Sequence, residues 1–353
     1  MINGKDEHIM ELPSKILIGH KIIQDLGSFL NDLNVKNNVL VVSGSNIKHN
    51  LEDQIVASLN QSKINYVWKE IDAATSKIAD DVSKMAIDLK SSIILGVGGG
   101  KSIDTAKLAS FNAKMRFVSV PTSASHDGIA SPFASIKGLD RPYSLIARPP
   151  VGIFADINII SSAPSRLLSS GCGDLIAKMT AVKDWELAYH DTNEHFRKYA
   201  ASLAYMSSQI LFDESLTFEH QKTDHVRDIV EALISAGVAA GIAGSSRPCS
   251  GSEHLISHAL DLISPGNGLH GEKCGIATIL MAKLHGLDWQ NIKSVLKRLG
   301  CPTNIKEIGV TDEQLFEAIR IAPDIRKDRF TILHKLRLQK QEITDLISTT
   351  NLD

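Results

Sequence analysis

Apolar and polar positions follow two regimes along this chain. From Val39 the sequence reads Val-Leu-Val-Val-Ser-Gly-Ser-Asn, an apolar run ending in small residues, and residues 47–59 then repeat apolar positions at helical spacing. This predicts a strand feeding a helix. The unit recurs, with strands over 64–68 and 92–97, helices over 78–89 and 102–111, and a further apolar run over 116–120. Strand and helix alternating at this spacing predict a parallel sheet covered by helices. Three short extended segments follow at 133–136, 143–147 and 151–154, and their Pro and Gly flanks predict a hairpin-like excursion on the sheet edge. After Asp156 the strand signal ends. Residues 167–189, 195–217, 226–245 and 274–285 carry apolar residues at helical spacing with Ala-rich faces, which predicts an all-helical half. Ser-Ser-Ala-Pro-Ser, from Ser161, reads as a cap and a proline-started helix, so the expected division is an α/β domain over 1–160 and an all-α domain over 161–353. A cleft between two such domains is a favoured ligand site.

Composition narrows the partners. The 353 residues are 43% hydrophobic and 22% charged, enough for a substantial core in each domain. A formal net charge of -2 leaves no basic field to hold a nucleic-acid backbone, so a small-molecule partner is expected. The N-terminal stretch from Met1 to Met10 carries two acids and no apolar leader region, and no stretch reaches the roughly 18 apolar residues of a spanning helix. No membrane insertion and a cytoplasmic location are the expectations; assembly into a homo-oligomer is left open. Four cysteines, Cys172, Cys249, Cys274 and Cys301, form no C-x-x-C pair and read as reduced packing residues.

Candidate chemistry begins at Gly98-Gly99-Gly100-Lys101-Ser102-Ile103-Asp104, directly after a predicted strand and opening a helix. One glycine suffices for a plain turn. Three in a row let the backbone approach a phosphate at a helix N-terminus, which predicts a pyrophosphate site in a Rossmann-like dinucleotide domain. The run is not a P-loop, because Leu95 stands where that motif needs glycine. Asp104 suits the first helical turn as a carboxylate near the dipole. A second polar turn, from Thr122 to Ser131, follows the next strand at the same carboxyl edge, and hydroxyls of Thr122, Ser123 and Ser125 can donate to phosphate or ribose.

The helical half holds Gly171-Cys-Gly-Asp174, Ser250-Gly-Ser-Glu-His-Leu-Ile-Ser-His258 and Leu269-His-Gly-Glu272. His254 and His258 share a helix face, and either could ligate a metal; His270 opens a later helix. Two imidazoles and one carboxylate with an open fourth position describe a catalytic zinc site. Asp174, set between glycines in an Ala-rich helix start, needs a partner for its charge. Arg247, with neighbouring Ser250 and Ser252, suits a phosphate, or equally a surface salt bridge.

These blocks, in this order over about residues 39–285, resemble the iron-containing alcohol dehydrogenase / dehydroquinate synthase-like superfamily. Within it they resemble the branch that reduces dihydroxyacetone phosphate to sn-glycerol 1-phosphate for archaeal-type phospholipid backbones. The resemblance implies that Gly98 to Asp104 and Thr122 to Ser125 hold NAD(H) or NADP(H), with Ser131 near the nicotinamide. It implies that Asp174, His254 and His270 ligate zinc, and that Asp127, Asp174 and His258 contact the substrate. Val42-Ser-Gly-Ser-Asn46 lacks the acid that many relatives place after this strand, which removes repulsion against a 2′-phosphate and predicts use of NADPH beside NADH. In the reaction this resemblance implies, hydride would pass from the nicotinamide to the ketone carbon, and the proton would come through metal-bound water, His258 or Asp127. The alternatives are a glycerol dehydrogenase and a dehydroquinate synthase-like lyase, the latter normally carrying Glu where Asp174 stands.

Overall fold

The computed structural model describes residues 8–35, 38–136, 144–215, 218–219 and 222–352. Residues 1–7, Tyr143 of the second expected extended segment, and residues 216–217 of the helix expected over 195–217 lie outside them. Eight strands are present: β1 Lys15–Gly19, β2 Val39–Ser43, β3 Tyr66–Glu70, β4 Ile93–Gly98, β5 Arg116–Pro121, β6 Phe133–Ser135, β7 Ser144–Ile146 and β8 Gly152–Asp156. Six form one sheet in the order β1-β8-β5-β4-β2-β3, every pair parallel. Its central strands are apolar runs buried on both faces, as a sheet covered by helices requires. The covering helices are α1 Leu26–Asp32, α2 Ser45–Gln61, α3 Ser76–Asp88 and α4 Gly100–Asn112.

Two features differ from the sequence expectation. β1 was not predicted, and β8 lies inside the sheet between β1 and β5, not in an edge excursion. Only β6 and β7 pair as an antiparallel ribbon, Phe133 opposite Ile146. The Asp156 carboxylate fixes the β8 end, accepting from Ile23 N at 2.9 Å and Asn158 N at 2.9 Å. The ribbon is anchored from below by the fully buried Lys107. Its Nζ donates to Gly128 O at 2.8 Å and Phe133 O at 2.6 Å and pairs with Asp104 Oδ1 at 3.0 Å, while Ser135 N donates to Asp104 Oδ2 at 3.1 Å.

From Ile157 onward the described chain is helical: α5 Ile157–Ser161, α6 Ser165–Thr192, α7 Lys198–Glu214, α8 Thr223–Ala243, α9 Ser252–Ile263, α10 His270–Leu284, α11 Trp289–Arg298, α12 Asp312–Ile325, α13 Ile332–Leu336 and α14 Lys340–Thr350. Pro164 is the cap of α6, and Ser165 its first helical residue. Among these helices none is long and apolar enough to cross a membrane. The long α6 runs through the middle of this half, and its glycines bring backbones together. A Cβ on Gly171 would stand 2.1 Å from Ala124 O, one on Gly173 2.2 Å from Gly271 O, and one on Gly271 1.8 Å from Ser170 O. These contacts bring α6 against the turn after β5 and against the start of α10.

Candidate active site between the sheet and the helices

A cavity of about 450 Å³ lies where the carboxyl edge of the sheet faces the helices, lined by Gly100, Lys101, Asp104, Asp127 and Ser131 from one side and Asp174, Ser246, Ser250, His254 and His270 from the other. Its size is that of a small-ligand pocket. The three glycines each answer a separate demand. Gly98 has φ +143°, Gly99 caps α4 in extended conformation, and a Cβ on Gly100, the first helical residue, would meet His126 Nε2 at 2.2 Å. The α4 N-terminus therefore opens on the cavity with its N–H groups. Thr122 N donates to Gly98 O at 3.0 Å, which holds the two predicted turns together. Ser102 packs against Gly98, Thr122 and Ser123 are buried, and Ser125 is partly so. Lys101 Nζ donates to Asp72 O at 3.0 Å, and residues 72–74 after β3 line the same cavity, which the sequence reading missed. Both oxygens of Asp104 are engaged by Lys107 and Ser135 N, so it also fixes the ribbon.

On the helical side, the ligand atoms of Asp174, His254, His270 and Cys274 all lie within 4.8 Å of one another. Asp174 Oδ1 stands 3.4 Å from His254 Nε2 and 3.9 Å from His270 Nε2. Of the two histidines on the α9 face, His254 joins this group. Its Nδ1 lies 2.8 Å from Glu253 Oε1, and Glu253, fully buried, also accepts from Thr180 Oγ1 at 2.8 Å and Gly251 N at 2.6 Å. That bond fixes which ring nitrogen faces Asp174. His258 stands beside the group, its ring centroid 6.0 Å from that of His270, with a buried Nδ1 that has no hydrogen-bond partner and lies 3.9 Å from Asp261 Oδ2. Burial pushes the His258 pKa down. Cys274, read from the sequence as packing, has its Sγ 3.7 Å from His270 Nε2.

Asp174 sits in the third turn of α6, not at the helix start. Its partner is Lys178, one turn on and fully buried, whose Nζ lies 3.0 Å from Asp174 Oδ1, 2.7 Å from Asp127 Oδ2 and 3.4 Å from Cys249 O. Burial alone would raise the Asp174 pKa, but Lys178 and the two imidazoles hold it well below the usual carboxylate range. Burial likewise opposes the Lys178 charge, and Asp127 and Asp174 outweigh it, raising the pKa. Asp127 N donates to Asp174 Oδ2 at 2.9 Å, so the two acids share one network. Lys178 was missed, although its i+4 spacing from Asp174 placed both on one helix face.

Arg247 is corrected. It is buried, not a surface group, and its fork is filled: Nε donates to Glu194 Oε1 at 2.6 Å, Nη2 pairs with Glu194 Oε2, and Nη1 donates to Phe330 O at 2.8 Å. A bidentate carboxylate already occupies the geometry a phosphate would use. Ser252 is also spent, its N and Oγ both bonded to Asp184 Oδ2, whereas Ser250 does line the cavity.

Residues 17–164 match the family described as iron-containing alcohol dehydrogenase. The chain is 49% identical to the glycerol-1-phosphate dehydrogenase [NAD(P)+] of Nitrosopumilus maritimus, covering 98% of this chain and 97% of that one. It is 44% identical to the protein of the same name from Metallosphaera sedula over 93% of each. Its fold is shared with the glycerol dehydrogenase of Schizosaccharomyces pombe, at a TM-score of 0.80 and 22% identity over 98% of this chain and 91% of the other. A probable glycerol dehydrogenase from Sinorhizobium meliloti is similar at a TM-score of 0.79 and 19% identity, over 97% and 98%. With identity near one half sustained along almost the whole of both sequences, the chain belongs to the glycerol-1-phosphate dehydrogenase family.

Proposed function

We propose that this protein reduces dihydroxyacetone phosphate to sn-glycerol 1-phosphate, the backbone unit of archaeal-type phospholipids, using NADH or NADPH and a zinc ion held by Asp174, His254 and His270. The observation that carries this reading is the convergence of those three side chains, from three separate helices, within 4.8 Å and beside the glycine turn. The donor set fits zinc: one carboxylate and two imidazoles, with the first imidazole oriented by a buried carboxylate. The relatives' name supports the substrate and the cofactor.

When bound, zinc supplies Lewis-acid polarisation of a carbonyl oxygen, and NAD(P)H supplies hydride. The protein's own groups receive and orient. Gly98 to Ser102, with Thr122, Ser123 and Ser125, offer N–H and hydroxyl donors to the dinucleotide, and Ser131 lines the same cavity as Asp127. Asp127, pinned by Lys178, accepts from a substrate hydroxyl in a fixed direction. Asp127 and His258 are the two protein groups here suited to hold or pass the proton gained by the product. At the end of β2 residues 43–46 carry no acid, and Glu70 at the end of the paired β3 is bound by Lys48 at 2.9 Å, so a 2′-phosphate would meet no free carboxylate at these two strand ends; Asp72, two residues on, also lines the cavity.

The test is oxidation of NADH and of NADPH with dihydroxyacetone phosphate, dihydroxyacetone or a heptulosonate phosphate, with and without chelator, together with zinc analysis of the protein. Turnover is expected with the first substrate and both cofactors, and its loss on chelation; Asp174→Asn should lower kcat/KM at least about a thousandfold. Full activity after metal removal sinks the reading, and an NADH preference on the order of several hundredfold sinks its cofactor part.

A further inference from the structure

The correction at Arg247 leaves the substrate phosphate without a cation, and the fold supplies another. Arg329 lies between α12 and α13, 4% exposed. Its Nη2 donates to Ser246 Oγ at 2.7 Å and its Nη1 to the Ser250 carbonyl, both residues of the cavity wall. Its Nε is buried with no hydrogen-bond partner. Among the described residues no carboxylate lies within ion-pair distance of it, because Glu194 is taken by Arg247 and Asp328 by Arg326. Three guanidiniums, of Arg247, Arg326 and Arg329, thus share two acids, and Arg329 is the one left without a carboxylate partner. Ser246 and Phe133 also line a second cavity of about 730 Å³ on the side of β7, which Arg329 itself lines, so the guanidinium reaches the first cavity through the wall residues Ser246 and Ser250 that it bonds.

A buried cation held only by neutral acceptors is costly and calls for an anion. Burial pushes the Arg329 pKa down to about 9, the direction this cost requires. A phosphate monoester matches both the charge and the planar fork. We propose that Arg329, with the Ser246 and Ser250 hydroxyls beside it, recognises the phosphate of the triose substrate and sets the preference for a phosphorylated over an unphosphorylated ketone. This rests on the activity proposed above. The phosphates of the dinucleotide are the other source of the same chemistry, but the donors suited to them lie on α4 and the turn after β5, in the sheet half.

The test compares wild type with Arg329→Gln in steady-state kinetics on dihydroxyacetone phosphate and dihydroxyacetone, with each cofactor. For the variant, kcat/KM on the phosphorylated substrate should fall about a hundredfold, chiefly through KM, the scale of losing one charged partner of a buried pair. Whatever residual turnover dihydroxyacetone gives, and the KM of both cofactors, should stay within about threefold. Equal losses on both substrates, or an unchanged KM for the phosphorylated one, overturn the assignment. So does a loss confined to the KM of NADPH, which would move the site to the cofactor phosphate. Should Arg329→Gln not fold, Arg329→Lys keeps the charge without the fork and should raise the same KM about tenfold. Inorganic phosphate separates this inference from the activity reading. It should raise the Tm of the wild type more than that of the variants, least in Arg329→Gln, even if dihydroxyacetone phosphate is not turned over, and an equal rise in all of them overturns the anion site.

Discussion

At the carboxyl edge of the sheet the cleft is furnished by backbone and hydroxyls: three glycines, a helix N-terminus and a Ser/Thr turn. Across from it, the helical half furnishes charged side chains, each held by a second buried group, as Glu253 holds His254 and Lys178 holds Asp174 and Asp127. On the reading proposed above, the difference follows from what each side would recognise. A pyrophosphate is met by many weak, fixed N–H donors, whereas a reacting ketone needs a few strong charges at defined points. Backbone recognition depends on the turn alone. Side-chain recognition depends on supports drawn from distant parts of the sequence, and so it is more exposed to damage from outside the cleft.

That contrast breaks most directly at the helix crossing. Gly271→Ala would put a methyl 1.8 Å from Ser170 O, a backbone atom, and force α10 away from α6 together with His270. The expected result is a loss of kcat/KM of about a hundredfold, the scale of a misplacement near 1 Å, with about 1–3 kcal/mol of stability lost to overpacking. Kinetics and urea unfolding measure both; a fully active variant with normal metal content would show that the crossing does not position His270.

A smaller effect is expected from the support of a single imidazole. Glu253→Gln keeps the shape but weakens the acceptor at His254 Nδ1, and should lower metal affinity about 10- to 100-fold. Competition with a chromophoric chelator reads this directly. Unchanged affinity would mean that Glu253 serves Thr180 and Gly251 only.

The smallest effect concerns a charge-free support. His334 on α13 lies with Nε2 3.0 Å from Pro323 O and Nδ1 2.9 Å from Thr331 Oγ1. Burial lowers its pKa below the ordinary 6.5, more than the Pro323 carbonyl raises it. The unfolded chain therefore takes up the proton first as pH falls through 6.5, so the stabilising contribution is complete above that value and declines below it. Urea midpoints at about pH 7.5 and 5.5 should converge in His334→Gln relative to wild type. An identical pH slope in both would remove His334 from the account.

Much of this was legible in the sequence because it is local. The apolar runs of β2, β4 and β5, the glycine turn and the long Ala-rich helices each announce themselves within a dozen residues. Non-local features did not. β1 is a five-residue edge strand whose partner, β8, lies more than a hundred residues away, and no local pattern states that pairing. Arg247 looked like a phosphate ligand because Glu194, which fills its fork, lies more than fifty residues earlier, just past the end of α6. Arg329 drew no notice because its significance is a missing carboxylate, which only packing reveals. Lys178 and Cys274 were readable from their i+4 spacings to Asp174 and His270, but Lys178 drew no notice and Cys274 read as a packing thiol.

Lys107 joins pieces that the chain keeps apart: the cofactor-side helix, the short turn bearing Asp127, and the first strand of the ribbon. One ammonium with three acceptors makes these segments open and close as a single cooperative unit in amide exchange. On the reading proposed here, loosening the α4 side of the cleft would therefore also disturb the turn that carries Asp127.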